Sequence, residues 1–155
     1  MIDISVNYLG LDLKSPFIAA SSGYTADLEK IVALARSGAG AIVLKSLFEE
    51  QINNEISFLE DVSSDYTENQ DFLKRYVTEY SLGKYVQLIK DAKREAGIPV
   101  IASINCYSHS NWIEFAKEIE KAGADALELN IYSLPVNGSK NSVEIENGYF
   151  EIVKK

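Results

Sequence analysis

Three times in this chain a helical pattern stops at a glycine and an apolar run starts two or three residues later. The words are Gly38-Ala39-Gly40-Ala41, Gly97-Ile98-Pro99-Val100 and Gly123-Ala124-Asp125-Ala126, and the first and third nearly coincide. Glycine suits the left-handed position that closes a helix. A short run that is apolar throughout suits a strand covered on both faces, as in a parallel sheet. The glycines are spaced by 59 and 26 residues, so the first interval holds one repeat unit and an additional stretch. Repeated βα units fold either as a doubly wound sheet or as a (β/α)8 barrel, with right-handed crossovers in both.

The remaining patterns fit that frame. Ile2, Ile4, Val6 and Tyr8 alternate with polar residues and lead through Leu9-Gly10 to Leu11-Asp12-Leu13, which predicts a β-hairpin. Four strands are expected at about 17–20, 41–45, 99–104 and 126–130, adjacent in that order and parallel. Leu28, Ile31, Val32 and Ala35 predict a helix from near Thr25 or Ala26 to Gly38. Leu82, Tyr85, Val86, Ile89, Ala92 and Ala96 mark a second helix. Trp112, Phe115, Ala116 and Ile119 mark a third, starting near Asn111. A last helix is expected from Ile145 to Lys155. Residues 47–69 are acidic, with weak apolar periodicity. They read as an insertion, lid or dimer-contact loop, with one helical turn near Phe48 to Asn53 and a capping box at Thr67-x-x-Gln70.

Composition narrows the function classes. Hydrophobic residues make up 46% and charged residues 25% of 155, a globular balance. Fifteen basic against twenty-three acidic residues give a net charge of −8, which disfavours nucleic acid as a partner. No apolar run is long enough for a membrane span, and the amino terminus lacks a basic and apolar leader. With the lone Cys106, these features point to a reducing cytoplasm. No metal site is expected, since His109 is the sole histidine and the acidic stretch has no calcium-loop spacing. Cys106 and Trp112 read as core residues, and no dinucleotide fingerprint is present.

In either architecture, ligands bind at the carboxyl ends of the strands. Those ends carry Ala20-Ser21-Ser22-Gly23, then Lys45-Ser46, then Ser103-Ile104-Asn105, then Asn130 with Ser133 behind it. A lysine, two amides and several hydroxyls around one mouth suit an anionic, heteroaromatic small molecule. Any one of these residues could simply end a strand in water; agreement at four strand ends favours a site.

The same residues carry a family resemblance. The words are Tyr8-Leu9-Gly10-Leu11-x-Leu13-x-x-Pro16-Phe17, Ala20-Ser21, Gly38-Ala39-Gly40-Ala41-x-x-x-Lys45-Ser46, Ile101-Ala102-Ser103-Ile104 and Glu128-Leu129-Asn130-x-x-Ser133. Their order and spacing resemble the amino-terminal half of the class 1 type of dihydroorotate dehydrogenase-like flavoproteins. The resemblance implies an α/β fold of the TIM (β/α)8-barrel type, here the first four βα units after an N-terminal hairpin. It implies FMN as cofactor and oxidation or reduction of a CH–CH bond in a pyrimidine-type substrate. It places Ala20, Ser21, Lys45, Ser103, Asn105 and Asn130 at the cofactor. Lys45 also reaches the substrate, and Ser133 stands where the family has its catalytic base.

Two family features differ. The Asn-x-x-Gly-x-x-Asn loop after the lysine strand is replaced by the acidic stretch, and Ser133 is followed by Leu134-Pro135 rather than Pro-Asn. Both changes remove amides that would hold orotate. A complete barrel takes about 250 residues. Residues 1–155 therefore read as half of one barrel domain, with little activity alone and a tendency to self-associate through its open edges. The rival readings are a non-catalytic ligand-binding or assembly module on the same scaffold and a phosphate-binding barrel lyase or isomerase.

Overall fold

The computed structural model describes residues 2–62, 70–106, 109–131, 138 and 141–154. The chain begins with the expected hairpin, β1 (Val6–Tyr8) antiparallel to β2 (Leu11–Leu13). Leu9 and Gly10 turn it, both at positive φ. Next come β3 (Ile18–Ala19), a 3₁₀ turn (Gly23–Thr25), α1 (Leu28–Arg36) and β4 (Ala41–Val43). They are followed by β5 (Leu47–Phe48), α2 (Glu49–Val62), α3 (Gln70–Glu95) and β6 (Val100–Asn105). The series closes with α4 (His109–Ala122), β7 (Ala126–Leu129) and α5 (Ser142–Val153).

The four expected strands are adjacent and parallel: β3 pairs with β4, β4 with β6, and β6 with β7. The glycines that close the helices before β4, β6 and β7 all lie at positive φ, as Gly123 at φ 90° illustrates. Gly40 has a different constraint. A Cβ there would lie 1.9 Å from the Ser15 carbonyl oxygen. Its counterpart in the third repeat, Asp125, has room and uses it. Gly40 and Asp125 each donate their N–H to the preceding strand, at Phe17 and Val100. The Asp125 carboxylate additionally accepts the Val100 N–H at 2.7 Å and Lys93 Nζ at 2.6 Å, joining α3 to both strands.

Side-chain alternation sorts the sheet into two faces. Ile42, Leu44, Val100, Ala102 and Ile104 face the helices and pack with Ile31, Ile52, Ile89, Phe115 and Ile119 in the main core. Ala41, Val43 and Ile101 face the other way and pack with Leu13, Leu11, Ile18 and Ala126. Helices α1 to α4 thus contribute to one core, and the hairpin covers the foot of the opposite face. A doubly wound sheet would carry helices on both faces. Among the described residues the helices pack in the core on one face, and the sheet is not closed, as in a partial barrel.

The acidic stretch differs most from expectation. Residues 47–48 form β5 and residues 49–62 form one helix, longer than the single turn expected. Ile52 and Ile56 are buried, and α2 packs on α3. Thr67 lies outside the described residues, while α3 starts earlier than its strongest apolar face, at Gln70. Helix α5 begins three residues before the expected Ile145, because Asn141 caps it. Among the described residues, no helix is long and apolar enough to cross a membrane.

Candidate functional site

The mouth is shaped by an irregularity between β4 and β5. Ile42 pairs with Val100 and Leu47 with Ile104, so five steps on one strand oppose four on the other. The extra residue makes a bulge at 44–46. There the amides of Lys45 and Ser46 turn to the β3 side, donating to the Thr25 carbonyl at 3.1 Å and to Ser21 Oγ at 3.0 Å.

The bulge leaves a gap in the ladder opposite Ser103, which Tyr85 of α3 fills. Its hydroxyl accepts the Ser103 N–H at 2.8 Å and donates to the Ser103 carbonyl at 3.0 Å. One side chain thereby satisfies two buried peptide groups that lack a strand partner. Burial pushes the phenol well above its ordinary range, so it remains a neutral donor and acceptor.

Above this plug the hydroxyls form a row. Ser21 Oγ lies 3.2 Å from Ser46 Oγ, which lies 2.6 Å from Ser103 Oγ. Ser103 Oγ then donates to Glu128 Oε1 at 2.6 Å, the length of a charge-assisted bond. Ser103 is fully buried and Ser46 nearly so. Ser21 is half-buried and Glu128 is exposed.

Of the residues expected at the site, Ser21 and Ser103 are joined through Ser46. Ala20 is exposed beyond the end of β3. Lys45 is exposed, on the same face as Ala41 and Val43. Its ammonium makes no hydrogen bond or ion pair among the described residues. Asn105 ends β6 and donates through Nδ2 to the Asn130 carbonyl, tying two strand ends together. The Asn130 side chain is exposed just past β7. Ser133 lies outside the described residues.

Sequence reasoning put Ser46 at a strand end by the mouth and Tyr85 on a helical apolar face, and it assigned neither the Tyr85 hydroxyl nor the Glu128 carboxylate a place at the site. A signal for Glu128 existed: strand parity places it on the inner face between Ala126 and Asn130, an unusual setting for a charge. Tyr85 gave no such signal, because its helical spacing is that of a core residue. Behind the sheet, buried Glu49 accepts from Asn111 Nδ2 at 2.9 Å. Nearby Cys106 is buried, and desolvation with some help from the Glu49 charge raises its thiol to about 12. That agrees with Cys106 as an inert core residue.

The mouth therefore offers a cation, amides, hydroxyls and one carboxylate. Such a set can meet a heteroaromatic ring that presents both carbonyl acceptors and N–H donors. A flavin's pyrimidine edge has that pattern, so the chemistry of the donor set fits FMN.

No family model matches the chain. It is 30% identical over 146 residues to the catalytic subunit of dihydroorotate dehydrogenase B (NAD(+)) from Thermoplasma volcanium, and 28% identical over 145 residues to that of Thermoplasma acidophilum. Each alignment takes in 89% of this chain and 44% of the relative. An IMP dehydrogenase/GMP reductase-like protein from Corynebacterium glutamicum superposes with a TM-score of 0.47 at 16% identity, covering 94% of this chain and 39% of the other. The chain spans less than half the length of its curated relatives, and along most of its own length it is distantly related to dihydroorotate dehydrogenases.

Proposed function

We propose that this chain forms the flavin-side part of an FMN-dependent oxidoreductase of the dihydroorotate dehydrogenase-like type. The observation that carries the reading is that Ser21, Lys45, Ser103, Asn105 and Asn130 all stand near the carboxyl ends of four adjacent parallel strands. The distant relationship to dihydroorotate dehydrogenases supports it. When bound, FMN would supply the hydride-accepting centre. Lys45 and the Asn130 amide would orient the ring and the substrate, and Ser21 would donate to the cofactor. Ser133 would take the proton from the substrate carbon; a serine needs a proton acceptor behind it for that task.

The substrate is a pyrimidine-type ring with a CH–CH bond to oxidise or reduce. Helix α2 stands where the family carries its orotate-holding amide loop, and this favours a ring other than dihydroorotate itself.

The test is made in a chain that includes a complete barrel. The purified protein is expected to be yellow and to retain FMN through gel filtration, and Lys45→Ala should weaken that retention or slow flavin reduction. Lys45→Arg should not restore it, because the guanidinium fork places its donors elsewhere. A colourless protein that takes up no FMN refutes the reading. A yellow protein that no dihydropyrimidine bleaches would favour the non-catalytic module.

A further inference from the structure

We propose that Ser21, Ser46, Ser103 and Glu128 form a proton wire, through which Glu128 gives or takes a proton at a ligand seated beside Ser21. The proposal rests on the reading above only in placing that ligand at the mouth; the wire itself stands on the hydrogen bonds.

Three contacts, a longer one of 3.2 Å and two short ones of 2.6 Å, join four polar groups drawn from four different strand ends. The middle of the row is buried, with Ser103 at 0% and Ser46 at 6% exposure, while Ser21 is half-buried and Glu128 exposed. Buried serines on an inner sheet face are costly unless fully bonded. These are bonded in series to one carboxylate. Tyr85 fixes the Ser103 backbone from the opposite side, so the central hydroxyl is held in place.

The proton balance is simple. With Glu128 ionised, Ser103 donates to it and Ser46 donates to Ser103. With Glu128 protonated, the order reverses: Glu128 donates to Ser103, Ser103 to Ser46, and Ser46 to Ser21. If the Ser21 hydroxyl then gives its proton to a basic ring nitrogen or enolate oxygen, one proton crosses each bond and Glu128 is left ionised. The reverse sequence carries one proton from a weakly acidic ring to Glu128. No heavy-atom bond changes. A ligand that excludes water from the mouth leaves this row as a route for the proton.

The test needs no ligand and uses the 155-residue chain. Glu128 is followed by its carboxyl carbon resonance across an acid titration, and Ser21, Ser46 and Ser103 by their Cβ and hydroxyl signals. The other ionisable groups in these surroundings are Tyr85, which interacts with the Glu128 charge and titrates far from the carboxylate range, and Lys45 at the same mouth. The expected result is one shared midpoint for all four residues. Glu128→Gln, a change at an exposed position, should abolish the transition in the three serines. Ser103→Ala should leave Glu128 titrating while Ser46 and Ser21 no longer follow it. Serines that stay flat through the Glu128 transition, or that still follow it in Ser103→Ala, overturn the wire without touching the flavin reading. A working wire here, beside a complete barrel that takes up no FMN, would overturn the flavin reading alone.

Discussion

Removing one oxygen atom, in Tyr85→Phe, tests the account of the sheet gap most directly. The ring is buried, with 7% exposure, and phenylalanine keeps its shape and apolar contacts. What disappears is a hydroxyl that bonds the Ser103 N–H at 2.8 Å and the Ser103 carbonyl at 3.0 Å. Both peptide groups are then left without a partner in the interior. A buried polar group stranded in this way costs about 1–3 kcal/mol. Two groups sharing one site give a loss of about 2–4 kcal/mol. The vacated space is only that of a hydroxyl oxygen, and the ring still blocks the approach, so water is not expected to replace it. Urea unfolding followed by circular dichroism reads the effect. With a slope of roughly 2 kcal/mol per molar, the midpoint should fall by about 1–2 M. Tyr76→Phe is the control, because its ring is exposed and stacks between Phe72 and Tyr80. That change should stay within about 0.5 kcal/mol. If Tyr85→Phe is equally mild, Ser103 has other partners and the hydroxyl is not the plug of the gap.

Gly40→Ala should destabilise the chain by about 3 kcal/mol, since its Cβ meets backbone oxygen that cannot swing away. Gly23→Ala, with nothing within 4 Å of the new Cβ, should be nearly neutral, and similar thermal shifts for the two would refute the close approach. Cys106 should resist iodoacetamide at pH 8 in the folded chain and react once urea unfolds it; fast native labelling would show an open thiol. Because its folded value is raised to about 12, its contribution to stability is complete below the ordinary thiol range. That contribution is lost as pH climbs from about 9 towards 12. Cys106→Ala should flatten that alkaline loss in a pH series of urea midpoints.

The sheet was legible in the sequence because its signals are local. Each glycine stop and apolar run lies within a few residues of the next, and the parity of Ala41, Val43 and Lys45 assigns the inner face. The one-sided placement of helices is a tertiary fact, and only the packing of Leu13 against Ala41 and Ile101 decides it. Only the first turn of α2 was expected, because its buried stripe is narrow. Ile52 and Ile56 supply it, with a half-buried Leu59, among many acidic residues. The row from Ser21 to Glu128 joins residues 25 to 57 positions apart, and no sequence period encodes such pairings. The task of the Tyr85 hydroxyl was hidden for a related reason. Its position on the apolar face was correct, while the function of its hydroxyl depends on a gap created forty residues earlier.

The bulge at 44–46 also sets the phase of everything that follows it. In a regular strand, consecutive side chains point to opposite faces, so Lys45 and Ser46 could not both serve one mouth. The extra residue lets them do so and returns Leu47 to the helix side, where it packs against the main core. A deletion of one residue there would be more than a shortening. It would restore plain alternation, leaving Leu47 opposite Ile104 on the helix side but only one side chain, instead of two, between Leu44 and Leu47 to face the mouth. Neighbouring surface loops can vary in length with little consequence. This three-residue segment cannot, so its length is as much a part of the site as its side chains.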